Sequence, residues 1–174
     1  MLKHEFVTSE HRDLASVRAL YESSFPKDEK MDFDRLIEME DASHHMMAWY
    51  DEDCLVGMTF VFLYEAVAYL AYFCIIESGR GRGYGTVVLD QMKSMYPRVV
   101  VDIEKVEEPN AIVKKRRKDF YLYHDFHETG IFYYIYHVDY ELLCVGSSVT
   151  EEEWDSLIHA FWGGFADTAK IYTK

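Results

Sequence analysis

The chain lacks a cysteine framework. Its three cysteines, Cys54, Cys74 and Cys144, are odd in number, far apart and set in apolar, strand-like stretches. They read as buried thiols of a reducing compartment, not as the disulfides of a small secreted domain. There is no charged-then-apolar leader, and the longest apolar run, residues 66–76, holds eleven residues. A bilayer-crossing helix takes about 20, so a soluble, cytoplasmic protein with no membrane partner is expected. Positive charge is scarce: 18 basic against 31 acidic residues leave a formal charge of −13. That surface repels phosphate backbones, which disfavours DNA and RNA as partners, and it suits a cationic substrate. There is no internal repeat and no low-complexity linker. With 174 residues, 49% of them hydrophobic, one globular domain with one core is expected.

The apolar pattern alternates between two periods. Residues 2–7 read as a first strand, and Thr8 or Ser9 as the cap of a helix whose Leu14, Val17, Leu20 and Tyr21 share a face, ended at Phe25-Pro26. Phe33, Leu36 and Ile37 suggest a second helix. Residues 45–50 and 54–64 read as a hairpin around the Asp51-Glu52-Asp53 turn. The run 66–76 predicts a central strand covered on both faces. After it, Val88, Met92 and Met95 recur at helical spacing until Tyr96-Pro97, and residues 99–104 give another strand. That unit is β-α-β, so its two strands should be parallel. Pro109 fits the first turn of a further helix carrying Val113 and Phe120. Strands at 131–136 and 139–145 follow. Thr150 and Glu153 have the spacing of a capping box opening a last helix, about 150–164, with Trp154, Leu157, Ile158 and Phe161. The apolar face of that helix, with Trp162, calls for a cover: the same chain or, as a homodimer or interaction scaffold, another copy or partner.

Four of the nine glycines fall at alternate positions, Gly79, Gly81, Gly83 and Gly85, where the buried strand gives way to a helix. Residues without Cβ let a ligand approach the backbone, and the N–H groups and dipole at a helix start favour an anion such as pyrophosphate. The dinucleotide pattern G-x-G-x-x-G fails because Tyr84, Thr86 and Val88 stand at its third-glycine positions. Walker A fails for want of Gly-Lys-Ser/Thr. His124 and His127 do not make H-E-x-x-H, and no metal is expected.

What does fit is R-x-x-G-x-G, in Arg80-Gly81-Arg82-Gly83-Tyr84-Gly85, followed by an apolar helix. Downstream come Glu108-Pro109-Asn110, then Arg116-Arg117, then Phe120-Tyr121-Leu122-Tyr123-His124-Asp125-Phe126. Together these segments resemble, in order and separation, the acyl-CoA signature and the later F-Y-x-x-x-G-F motif of the GNAT superfamily of acetyl-CoA-dependent N-acetyltransferases. Asp125 replaces the family's glycine at a helix end, a position where Asp tolerates the left-handed conformation better than most residues. The resemblance implies an α/β fold: a mixed, mostly antiparallel sheet with a splayed parallel pair, flanked by helices.

The resemblance also implies roles. Acetyl-CoA would be the co-substrate, its phosphates on residues 80–85 (Arg80, Gly81, Arg82, Gly83, Tyr84, Gly85) and its pantetheine along Phe73, Cys74, Ile75 and Ile76, where a backbone N–H would polarise the thioester carbonyl. Asn110 would contact the cofactor arm, or simply cap its helix. Tyr121 would protonate the leaving thiolate, a phenol's pKa of about 10 being in range. Glu104 is the first candidate base and Glu77 the second. Asp102 and Glu104 project to one side of a strand, so they can instead hold a cationic substrate. The run Lys114-Lys115-Arg116-Arg117-Lys118 mostly faces water. Cys74, near the implied thioester, reads as a structural thiol, because family members mostly use direct attack in a ternary complex. The acceptor, a small-molecule or peptide amine, is not legible. A chain that keeps the turn without a working base would be an acyl-CoA sensor.

Overall fold

The computed structural model describes residues 2–107 and 111–173. Their elements, in order, are β1 (Lys3–Phe6), α1 (Leu14–Ser24), α2 (Phe33–Glu38), β2 (His44–Asp51), β3 (Cys54–Tyr64), β4 (Val67–Ile75), α3 (Tyr84–Met95), β5 (Val99–Glu104), α4 (Ile112–Tyr123), β6 (His127–Ile135), β7 (Val138–Val145), α5 (Glu151–Trp162) and β8 (Lys170–Thr173). The strand order is β1-β2-β3-β4-β5-β7-β6-β8. The β4–β5 pair is parallel, in the register Ala68 to Val99 and Tyr69 to Val100, and every other recorded pairing is antiparallel. The expected α/β class, with a mixed and mostly antiparallel sheet, is therefore observed.

The chain divides into two compact units, residues 1–63 with 70–92, and residues 64–69 with 93–174. In the first unit β1–β3 and most of β4 carry α1, α2 and the start of α3. Its core holds Val17, Tyr21, Phe33, Leu36, Met47, Trp49, Met58 and Phe60. The helix expected from Thr8 or Ser9 begins instead at Leu14. Residues before it are spent on turns, with His11 N–H donating to the Thr8 carbonyl at 3.1 Å and Leu14 N–H to the His11 carbonyl at 3.1 Å. Asp13, at the cap position, makes no side-chain cap bond. It accepts instead from the Tyr50 hydroxyl at 2.8 Å. In α2 the cap does form, Asp32 accepting from the N–H of Asp34 and of Arg35. Cys54, expected to be buried, is exposed, because it opens β3 directly after the tight turn; Cys74 and Cys144 are buried.

In the second unit β5, β7, β6 and β8 pair in that order. The strand β6 starts at His127, four residues before the expected 131, because a register shift between Glu128 and Phe132 interrupts its pairing with β7. Thr129 and Gly130 sit in that irregularity: the Thr129 hydroxyl donates to the Leu142 carbonyl and Gly130 has φ 78°. The β6–β7 turn uses Tyr136 and His137, both at positive φ, where a two-residue hairpin favours Asn-Gly. Helix α5 opens on the expected capping box of Thr150 and Glu153. Its Trp154, Leu157, Ile158 and Phe161 are all buried within the chain. Trp154 and Phe161 meet the Tyr69 ring edge-on at 5.2 and 5.6 Å, so this apolar face is an intramolecular cover. Arg98 fixes the start of the helix, its two Nη atoms reaching the Glu153 carboxylate at 2.8 and 2.7 Å. No helix among the described residues is long and apolar enough to cross a membrane.

Candidate active site

The residues assigned to the donor, Asn110 apart, lie in the first unit. From Leu70 onward β4 alternates: Tyr72 and Cys74 are buried, whereas Ala71, Phe73 and Ile75 are half-buried. The strand is thus covered on one face only at its end, not on both as the sequence suggests. The Ile76 N–H donates to the Val56 carbonyl on β3 at 3.0 Å. Strand alternation then turns the N–H groups of Phe73 and Ile75 away from β3, whereas that of Ile76 is spent on Val56. Gly57 permits this packing: a Cβ there would stand 2.7 Å from the Cys74 carbonyl and 2.7 Å from Ile75 Cδ1. Burial raises the Cys74 thiol to about 11, against the pull of a Ser24 hydrogen bond. The thiolate needed for a covalent acyl-enzyme is therefore disfavoured.

After a short 3₁₀ turn at Glu77–Gly79, the chain enters the glycine turn. Gly81 at φ 74° and Gly83 at φ 85° take the left-handed region, and a Cβ at either would meet nothing within 4 Å. The glycines are therefore there for backbone direction and open space, not for tight protein packing. Tyr84 and Gly85 begin α3, where amide N–H groups have no intrahelical acceptor. The Tyr84 hydroxyl donates to Asp51 at 2.7 Å, which ties the helix start to the β2–β3 turn. Arg82 lies over the Tyr84 ring at 5.3 Å. Arg80 and Arg82 are exposed, and among the described residues neither has a carboxylate within ion-pair distance. Asp51, unsuspected from sequence, is the anchor of this turn; the only sequence signal for it was its place in a tight turn.

Asn110 lies outside the described residues, as does Pro109. The other residues assigned to chemistry, the second candidate base Glu77 apart, lie in the second unit. The motif at the end of α4 forms a Schellman cap: Phe126 N–H donates to the Tyr121 carbonyl at 3.2 Å and Asp125 N–H to the Leu122 carbonyl at 3.3 Å. Asp125 has φ 69°, the left-handed position the cap requires. The accompanying apolar contact is Tyr121 against Phe126, with ring centroids 5.2 Å apart. Tyr121 is thereby fixed by the helix end itself. Its ring is buried, and burial holds its phenol well above the ordinary value, with Arg117 pulling it back. Among the described residues nothing hydrogen-bonds its hydroxyl, and that oxygen is not among the sealed polar atoms that lack a partner.

Glu104, at the end of β5, meets Lys114 Nζ at 2.5 Å and Arg117 Nη1 at 3.9 Å. Its carboxylate is already engaged by cations. Lys115 pairs with Asp119, and Lys118 with Glu141 and Glu128, so much of the basic run on α4 is compensated inside the protein. Asp102 has different company. It accepts from the Tyr69 hydroxyl at 3.0 Å and from the Tyr133 hydroxyl, and burial raises its proton affinity against those two donors. Sequence spacing put Asp102 beside Glu104 but gave no reason to join it to two tyrosines distant along the chain. His124 is buried while His127 is exposed. Among the described residues no group of three or more His, Cys, Asp or Glu is arranged to hold a metal ion.

Comparison with known proteins agrees with this fold. Among curated protein sequences none matches the chain. A solved protein of Bacteroides thetaiotaomicron, from the GNAT family, superposes with a TM-score of 0.74 at 19% identity, covering 93% of this chain and 98% of its own. The Arabidopsis thaliana protein NAA60, solved in complex with acetyl-CoA, gives 0.64 at 12% identity over 83% and 97%. The spermidine/spermine N-acetyltransferase of Vibrio cholerae gives 0.60 at 16% over 83% and 94%. A family model described as "Acetyltransferase (GNAT) family" matches residues 14–111, more than half of the sequence. The chain belongs to the GNAT family of acetyltransferases.

Proposed function

We propose that this protein transfers an acetyl group from acetyl-CoA to a primary amine by direct attack in a ternary complex. The observation that carries the reading is the turn at 80–85: two arginines with no carboxylate at ion-pair distance among the described residues, two glycines in the left-handed region and a helix start, in a chain of net charge −13. In so acidic a protein, uncompensated cations beside helix-opening N–H groups suit a phosphate-bearing ligand. The Arabidopsis relative was solved with acetyl-CoA, which fits that ligand class.

The donor supplies the activated acetyl group. Ile75, whose N–H turns away from β3, offers it to the acetyl carbonyl, and the Tyr121 hydroxyl offers a proton to the departing sulfur. A carboxylate on β5 accepts the proton of the amine, which must be neutral to attack. The high proton affinity of Cys74 speaks for direct attack over an acyl-cysteine intermediate.

The test is thiol release from acetyl-CoA with a panel of primary amines, in the wild type and in Tyr121→Phe. The expected outcome is amine-dependent release whose kcat falls about 100-fold or more in the variant, with acetyl-CoA affinity unchanged. Equal kcat in the two proteins would remove Tyr121 from its role.

A further inference from the structure

On the basis of that reading, we infer that Asp102, held by Tyr69 and Tyr133, is the group that binds the acceptor's ammonium and takes its proton. Glu104, Glu141 and Glu153 each have a lysine or arginine within ion-pair distance. Asp102 has two phenols instead, one on each oxygen, and among the described residues no cation within ion-pair distance. A half-buried carboxylate without a cation costs stability. An asparagine would satisfy the same two phenols, its carbonyl accepting from one and its amide donating to the other. The fold therefore has no need of the charge, whereas an ammonium ligand does.

The surroundings match that ligand. Each carboxylate oxygen retains a lone-pair direction beyond the phenol it accepts from, and Asp102 keeps part of its surface open. Tyr133 stacks on Tyr140 at 5.0 Å and 14°, and Trp154 packs on Tyr133 at 5.5 Å and edge-on to Tyr69 at 5.2 Å. The phenols that aim the carboxylate are thus immobilised by packing, and aromatic rings favour a nearby cation. Other charged or titratable groups acting on Asp102 are Arg117 and Tyr121 of α4. Burial makes the carboxylate the better proton acceptor, while its phenol donors restrain that effect.

In the step, R–NH3+ gives one proton to the Asp102 carboxylate, leaving R–NH2 and a carboxylic acid. The nitrogen lone pair forms the C–N bond, and the C–S pair leaves with sulfur. Sulfur takes a proton from Tyr121, which regains one from the new amide nitrogen through solvent, and Asp102 releases its proton to water.

The test is thiol release from acetyl-CoA with putrescine, lysine and n-butylamine as probes. Asp102→Asn is expected to lower kcat/KM for the amine about 10- to 100-fold, the range of a hydrogen bond to a charged group. KM for acetyl-CoA should not change, and the thermal midpoint should stay or rise. Tyr69→Phe and Tyr133→Phe, which each remove one donor and keep the carboxylate, should move the acidic limb of kcat/KM to higher pH. Wild-type kcat/KM in Asp102→Asn, a larger loss in Glu104→Gln, or an unmoved acidic limb in both Phe variants overturns the inference while leaving acetyl transfer standing. Failure of the wild type to turn over any of the three amines overturns the transfer reading, and the inference with it.

Discussion

Gly83 shows how one residue type serves the site without touching the core. Its φ of 85° is outside what side chains ordinarily adopt, yet the space around its missing Cβ is empty. Gly83→Ala therefore introduces no clash, only backbone strain, of about 1–2 kcal/mol. Chemical denaturation should show an unfolding free energy lowered by that amount, and with it the midpoint, with acetyl-CoA affinity reduced because Tyr84 and Gly85 are re-aimed. An unchanged midpoint would mean that the turn relaxes at no cost and that its glycines are not conformationally required. Tyr84 was legible as part of the motif, but its hydroxyl bond to Asp51 was not, since 33 residues separate the two along the chain. The same holds for Asp102: its strand and its facing could be read, its phenol partners could not. Local spacing reports which face a residue occupies, and only the tertiary pairing of strands reports its neighbours.

At the level of elements, legibility followed local chemistry. The capping box of α5 and the helix end at residues 120–126 are satisfied within a few residues, so sequence alone located them. The early start of β6 is hidden by its irregularity at Thr129 and Gly130, and β8 is a four-residue edge strand whose pattern means little before it pairs with β6. The start of α1 was misplaced because Thr8 satisfies a turn in place of a helix cap. Helix α5 also carries a pH-dependent tether. Arg98, and next the Thr150 N–H, depress the Glu153 carboxyl from 4.5 to about 2. A depressed carboxyl contributes stability that is present above 4.5 and lost as pH falls through about 2. Glu153 is partly exposed, so solvent screens the effect and it should be modest. Thermal unfolding of the wild type between pH 5 and pH 2 should therefore lose more stability than that of Glu153→Gln. Parallel curves would contradict the tether.

For the whole molecule, the distribution of charge matters more than its sum. The basic run on α4 is largely neutralised by Glu104, Asp119, Glu128 and Glu141, while among the described residues no carboxylate lies within ion-pair distance of Arg80 or Arg82, in a chain of −13. Two cations at a helix start suit an anion, and an excess of carboxylates suits the proposed ammonium acceptor. The turn at 80–85 is thus proposed to bind the donor. Isothermal titration of the full chain with acetyl-CoA tests it most directly. Saturable one-to-one binding is predicted, weakened by added salt and about 10- to 100-fold by the Arg80→Ala, Arg82→Ala pair, and indifferent to Lys115→Ala. Absence of binding by the wild type, or full affinity without the two arginines, would contradict the account.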